Sequence, residues 1–493
     1  MRLRVLFAGA LAALPLIVSG ALAQTAERAP AAAPPSAASA SPAAPATSPA
    51  PPGSVPALPP AASASSAAPS DPANPPASTQ GLVSPFMPQA ATPPAAGAAS
   101  TPAAPQPAQA AAPPKPRKPP PPPRETALSD DPEPTLKPDT FFATAKASER
   151  YSAIVDAGGW PTDIAAIAPG AKGAAVARLR KRLAIEGYLD AGEASGLAWD
   201  KTLTAAVKRF QAHMGLRETG TVSGATLKAI NIPARERFKE LASSADRLAG
   251  LNFSFDDRYV VVNLPSTSVE AVENGRVVHR YVAIVGDPEH PSPEISAHIQ
   301  VVNLNPTWTV PTSIIRKEII PRMQRDPGYL KRAKIRILDG QGKEIDPKSV
   351  NWSTERAANY TLRQDSGAGN SLGSIRIGMP NKLAVYMHDT PSKGLFGADY
   401  RFLSHGCVRV QGVYDYAAWL LEGTAGGWDK AALEAKIKEG APYNVNLAKA
   451  VPVIWVYLTG WSNGDGPANF RNDVYNIDNV GEAQVSAQAA PAR

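Results

Sequence analysis

The chain has 493 residues, one cysteine, 52 prolines and a formal net charge of +7. A single thiol excludes an internal disulfide framework, and the modest charge gives no case for nucleic-acid binding. The length leaves room for two or three domains with proper cores once the biased segments are set aside.

Residues 1–23 read as a signal peptide. Arg2 and Arg4 make a basic start, Val5 to Val18 is almost wholly apolar, and Ala21-Leu22-Ala23 supplies the small residues of a cleavage site before Gln24. The alternative is an uncleaved membrane anchor, which Pro15 and Gly20 disfavour by interrupting the apolar run. The expected location is periplasmic, in an oxidising compartment, with the protein soluble or tethered at its N-terminus.

Residues 24–140 are mostly Ala, Pro and Ser and end in a basic polyproline stretch from Pro113 to Arg124. Without branched and aromatic residues to offset chain entropy, this segment is expected to be a disordered or polyproline II spacer. Its basic residues read as solvated charge, with an anionic wall or membrane surface as the rival explanation.

Residues 141–235 change texture. Val176, Leu179 and Leu183 recur at helical spacing, as do Leu203, Val207, Phe210 and Met214, and Gly187-Tyr188 and Gly215-Leu216 mark the helix ends. A third short helix runs from Ser223, read as its N-cap, to Ile230. The spacing alone fits a small all-α three-helix domain, either a structural bundle or a binding module. A charged connecting helix occupies 236–250.

From 251 to 478 the pattern is mainly β. Tyr259 to Leu264, Val277 to Val285 and Ile299 to Leu304 are β-branched runs, with a turn at Asn274-Gly275. Thr312 to Tyr329 reads as helical and the polar stretch after it has weak periodicity, so a lid or subdomain is expected over about 312–373. A disordered tail is expected over 479–493.

The chemistry gathers near the end of this domain. Leu383 to His388 reads as a strand that puts Tyr386 and His388 on one face. A glycine-containing loop then makes a hairpin-like return to Ser404-His405-Gly406-Cys407, just ahead of a helix over Val413–Leu421. A nucleophilic thiol needs a base, and His388 can be aimed across the loop to give a thiolate–imidazolium pair, whereas His405 is too close in sequence. Gly406 permits close backbone approach, so the amides of Gly406 and Cys407 are candidate oxyanion donors. Taken singly, Cys407 reads as an inert buried thiol and His388 as a core or surface group; the combination favours catalysis. A metal site is not expected, because Cys407, His405, His388 and Asp389 lack a second cysteine pair or a paired-histidine helix.

These residues also carry a resemblance. Ser404-His405-Gly406-Cys407-Val408-Arg409, preceded by His388, resembles the signature of the L,D-transpeptidase family (YkuD-type catalytic domain), closest to its large, lidded subgroup. Supporting segments include Asn305-Pro306-Thr307-Trp308-Thr309-Val310-Pro311, Gly373-Ser374-Ile375 and Tyr386-Met387-His388-Asp389-Thr390-Pro391. Upstream, Pro169-Gly170, Gly187-Tyr188, Phe210-Gln211, Gly215-Leu216 and Thr226-Leu227 resemble the three-helix peptidoglycan-binding domain. Thr219-Gly220 stands where an acidic residue usually precedes the glycine, and Ser366 where a proline is usual.

The resemblance implies a β-rich cysteine enzyme with Cys407 as nucleophile and His388 as base. Gly406, His405, Ser404 and Tyr386 would shape the site or its oxyanion pocket, and Arg409 would bind a substrate carboxylate or brace the loop. Trp308 reads as core. The implied substrates are peptidoglycan stem peptides, with a tetrapeptide donor and a diaminopimelate amine acceptor. The product would be a 3→3 cross-link, made without cofactor or metal and blocked covalently by carbapenems. L,D-carboxypeptidase activity, lipoprotein anchoring and a non-catalytic wall-binding role are the alternatives. A low-pKa thiolate in an oxidising compartment would also call for a reducing partner.

Overall fold

The structure, a computed structural model, describes residues 124–478. The signal peptide, the spacer up to residue 123 and the tail over 479–493 lie outside the described residues.

Five helices come first: α1 (Thr140–Asp156), α2 (Ala174–Glu186), α3 (Lys201–His213), α4 (Gly224–Ile230) and α5 (Ala234–Ala249). The periodic residues do what their spacing predicts. Val176, Leu179, Leu183, Leu203, Val207 and Phe210 are all fully buried in one core. α2 ends at Gly187 with φ 92°, a left-handed exit that suits glycine. α4 departs from expectation, because the Ser223 side chain makes no capping bond. Its place is taken by Glu125, whose Oε1 accepts from the Ala225 amide at 2.8 Å.

Glu125 belongs to a segment expected to end the disordered spacer, and residues 124–139 are instead an ordered strap. The Ala127 amide donates to Gly215 O and the Arg217 amide to Glu125 O, holding the strap to the helices. On the β side, the Thr126 amide and hydroxyl donate to Asp399, and the Thr135 amide and hydroxyl donate to buried Glu270, each near 2.8 Å. The difference has a sequence cause: proline gives way here to side chains that hydrogen-bond, and Leu136 supplies an anchor that is 1% exposed.

The β domain opens with β1 (Arg258–Asn263), β2 (Ser268–Glu273), β3 (Arg276–Gly286) and β4 (Ile295–Leu304). The lid follows as β5 (Trp308–Thr309), a broken helix made of α6 (Thr312–Ile314), a π turn (Ile315–Ile319) and α7 (Ile320–Arg325), then α8 (Tyr329–Arg332), β6 (Ile335–Leu338), β7 (Glu344–Ile345) and β8 (Thr361–Gln364). The chain then returns to the main sheet through β9 (Ile375–Gly378), β10 (Met387–His388), β11 (Phe402–Ser404) and β12 (Val408–Val410). Helices α9 (Val413–Leu420) and α10 (Lys430–Lys438) precede the long β13 (Tyr443–Val456) and the short pair β14 (Gly460–Trp461) and β15 (Asn469–Phe470).

The nine main strands run in the order β11-β3-β12-β10-β9-β4-β13-β1-β2, and β2 also pairs with β3, which closes the sheet on itself. Apolar side chains such as Val262, Ala283, Ile377, Met387, Val408 and Trp455 fill its interior together with α9. The lid has its own four-stranded sheet, β5-β8-β6-β7, and its own core around Trp308, Ile319, Leu330, Ile337 and Leu362. Strands of two to four residues are too short for alternation to show, which is why the periodicity of this stretch is weak.

The connecting helix is not a free connector. α5 packs along α1 and against β14, and the Gly460 amide donates to Ser244 Oγ. Phe470 enters the helical core, 1% exposed, with its ring 5.5 Å from Tyr151 and under the Arg237 guanidinium at 4.4 Å. The helical and β parts therefore share buried surface through the last strands of the chain.

Candidate active site

β10 is two residues long, not six. Ala384 takes φ 55° and the Asn381 amide donates to the carbonyls of Met379 and Val385, so 381–385 coil into a turn before the strand begins. The predicted facing survives this shortening. Met387 points into the barrel core at 0% exposure, while the Tyr386 and His388 rings lie together, centroids 5.7 Å apart.

The return to Cys407 is not hairpin-like either. β10 and β12 run parallel, with Met387 opposite Val408 and His388 opposite Arg409, because the intervening chain first crosses to pair β11 with β3. On the other side β9 pairs antiparallel and sets Arg376 opposite His388. His388 thus sits between two arginines in one row across the sheet. Val408 donates its amide to Tyr386 O, which places Cys407 beside Tyr386. Among the described residues no hydrogen bond joins Cys407 to His388.

The imidazole is oriented by backbone. Nδ1 bonds the carbonyl of Asp389 at 2.5 Å, and the Leu372 carbonyl also faces the ring. A carbonyl only accepts, so Nδ1 carries the proton and Nε2 keeps the lone pair a base needs. The buried Asp389 carboxylate fixes this peptide by accepting from the Ser374 amide at 3.0 Å and from Lys393 Nζ.

Burial, reinforced by Arg409, pushes the His388 pKa down to about 3. Burial likewise pushes the Cys407 thiol up, outweighing the hydrogen bonds from Tyr386 that favour the thiolate. Both shifts favour a neutral pair over the expected thiolate–imidazolium pair.

The turn that carries Cys407 is tightly bonded. Gly406 has φ 102°, a conformation that favours glycine. Its amide donates to Ser404 Oγ at 3.2 Å, and the Ser404 hydroxyl donates to Cys407 O at 2.6 Å. The Gly406 amide is therefore engaged, and of the two candidate oxyanion donors the Cys407 amide is the one with no partner among the described residues. His405 reaches away to the lid, with Nε2 2.7 Å from Glu318 Oε1 on the π turn and its ring 4.7 Å from His290. Arg409 has its pKa lowered by burial, with Cys407 and Glu318 opposing.

Trp308 is core, as expected, at 8% exposure, but it also divides two clefts. One of about 700 Å³ is lined by Trp308, Glu318, Tyr329 and Gln364; another of about 630 Å³ is lined by Trp308, Arg376 and Tyr386. The glycine-rich approach is held by Gln364, which bonds Ala333 O, Gly369 O and the Ser371 amide, so rigidity there does not depend on a proline at 366. In the helical domain the buried Gln211 bonds both the Thr219 hydroxyl and the Gly220 amide, so Thr219 serves where an acidic residue is usual.

Residues 257–434 match the family described as the L,D-transpeptidase catalytic domain, and residues 172–230 match the "Putative peptidoglycan binding domain" family. Over residues 257–434 this chain is therefore similar to the L,D-transpeptidase catalytic domain. A "Putative L,D-transpeptidase" of Haemophilus influenzae is 31% identical over 220 residues, which are 44% of this chain and 44% of the relative. The chain thus spans less than half the length of that curated relative. Solved L,D-transpeptidases from Mycobacterium smegmatis and Xylanimonas cellulosilytica are each 15% identical. The first covers 41% of this chain and 58% of the solved one at a TM-score of 0.21, and the second 59% and 96% at 0.20. Within residues 257–434, Cys407, Tyr386, His388 and Arg409 come together, and Ser404 braces the turn. Arg376 and Glu318 were not legible beforehand: one is placed by strand register, the other by a lid helix whose docking no local pattern encodes.

Proposed function

We propose that this protein is a peptidoglycan L,D-transpeptidase that forms 3→3 cross-links through a thioester on Cys407. The observation that carries the reading is the backbone-held imidazole, which presents an unprotonated Nε2 on the face shared with the thiol and Tyr386. Starting from a neutral pair, the proton passes from Sγ to Nε2 as sulfur attacks the carbonyl carbon of the third stem residue. Catalytic hydrogen bonds commonly tighten only when substrate is bound. The Cys407 amide receives the developing oxyanion. Collapse breaks the peptide bond, and His388 returns its proton to the departing amine of D-alanine. The side-chain amine of a diaminopimelate on a second stem then attacks the thioester, gives its proton to His388 and expels sulfur, which takes that proton back.

Arg409 and Arg376, flanking the base, suit a stem-peptide carboxylate. The helical domain would hold the enzyme to the wall. Export to the periplasm, by a cleaved or retained signal, gives access to that substrate. Water in place of the second amine makes the enzyme an L,D-carboxypeptidase, and a lipoprotein lysine makes it an anchoring enzyme.

Intact-mass analysis after incubation with a carbapenem tests the site. One covalent adduct is expected on the wild type and none on Cys407→Ala. No adduct on the wild type sinks the assignment. Incubation with purified tetrapeptide stems then reads the acceptor, cross-linked dimers meaning transfer and tripeptides meaning hydrolysis.

A further inference from the structure

The Cys407 amide can serve as an oxyanion donor only if its peptide plane is held; Ser404 braces the groups on either side of that peptide, and the hold on its carbonyl comes from outside the turn. Ser292, 4% exposed, sits in the loop between β3 and β4, and its hydroxyl donates to Gly406 O at 2.7 Å. The Gly406 carbonyl and the Cys407 amide belong to one peptide unit, and in a trans peptide they point in opposite directions. Fixing the carbonyl toward Ser292 therefore aims the Cys407 N–H the other way. The turn needs this help, because a glycine at φ 102° has no side chain to restrict it.

Ser292 is itself fixed on two sides. Its oxygen accepts from the Gly286 amide at 2.9 Å, and its own amide donates to the Tyr475 hydroxyl, which in turn donates to Gly286 O at 2.8 Å. Gly286 can come this close because it has no Cβ; one built there would stand 2.3 Å from His290 O. The ring of contacts Gly286–Ser292–Tyr475 forms a rigid bracket that touches neither the thiol nor the imidazole. We propose that Ser292 is a positioning residue for acyl transfer, holding the Gly406–Cys407 peptide so that the Cys407 amide meets the oxyanion. This rests on the reading of Cys407 as an acyl-transfer nucleophile.

Two reagents separate the role from a general loosening of the site. Acylation by a carbapenem passes through a tetrahedral oxyanion, whereas alkylation by iodoacetamide displaces iodide and forms none. Removing an oxyanion donor outright costs ~10²–10³ in rate. Releasing the peptide that aims it is expected to slow acylation by about 10- to 100-fold in Ser292→Ala, with alkylation unchanged. Ser292→Thr and Ser292→Val differ only by a methyl for a hydroxyl, so they repeat the comparison at constant volume. Thr should keep the wild-type ratio of acylation to alkylation, and Val should lose it.

Equal ratios in Thr and Val, or a fall in both reactions together, overturn the positioning role. A wild-type chain that alkylates at Cys407 yet forms no carbapenem adduct fails at the earlier step, the acyl-transfer reading itself.

Discussion

Replacing Gly373 by alanine should damage both the stability and the chemistry of this protein. Gly373 has φ 62°, which costs an L-residue roughly 1–2 kcal/mol. A Cβ there would stand 2.5 Å from Asp389 Cγ and 2.6 Å from Asp389 Cβ. Asp389 Cβ is bonded directly to the backbone, so the side chain cannot swing aside, and overpacking of this kind adds about 1–3 kcal/mol. The total destabilisation expected is about 2–5 kcal/mol. The backbone that moves is the one whose carbonyl holds His388 Nδ1, so acylation should slow by roughly ten-fold or more even where the protein is folded. Urea unfolding gives the first number and the rate of carbapenem adduct formation the second. Gly394→Ala is the control: a Cβ there meets nothing within 4 Å and needs no left-handed backbone, so both quantities should stay near wild type. A Gly373→Ala protein as stable and as fast as the wild type would refute the argument.

Two further outcomes follow from burial. His388 has its pKa lowered to about 3 in the folded protein against about 6.5 unfolded, so between those values the unfolded chain binds a proton that the native state does not. Its contribution to stability is therefore complete above pH ~6.5 and lost as pH falls toward ~3; unfolding midpoints of wild type and His388→Asn should converge on acidification relative to their separation at pH 7, and a constant separation counts against it. Phe470→Ala should cost about 3–5 kcal/mol, since the ring fills the helical core from the β side. Calorimetry should still show one transition, and independent melting of helical and β parts would contradict the shared core.

Much of this was legible before the structure, for identifiable reasons. Val176, Leu179 and Leu183 announce a helix because burial repeats at the helical period, and Met387 faces inward because strands alternate. Gly406 and Cys407 stand out because a glycine next to a lone thiol is chemically specific. What stayed hidden depends on contacts between distant segments. Ala384 reads as extended until Asn381 is seen binding the backbone around it. The opposed pKa shifts of Cys407 and His388 follow from burial, which no spacing reports. Glu125 carries no local sign that it caps a helix a hundred residues on, and Phe470 is a single aromatic in a polar stretch, without the repetition that marks a core.

Wall-binding modules are commonly treated as interchangeable beads, added or removed at a linker. The strands β14 and β15 forbid that treatment here. A catalytic fragment begun after α5 would strip Phe470 of the helical core it fills and Arg471 of its bond to His213 O. It would also loosen the stretch that leads, five residues after Phe470, to Tyr475 and the Ser292 loop beside the Cys407 turn. A fragment prepared for inhibitor work would therefore report on a different enzyme, and any exchange of wall-binding module would have to carry the C-terminal hairpin with it.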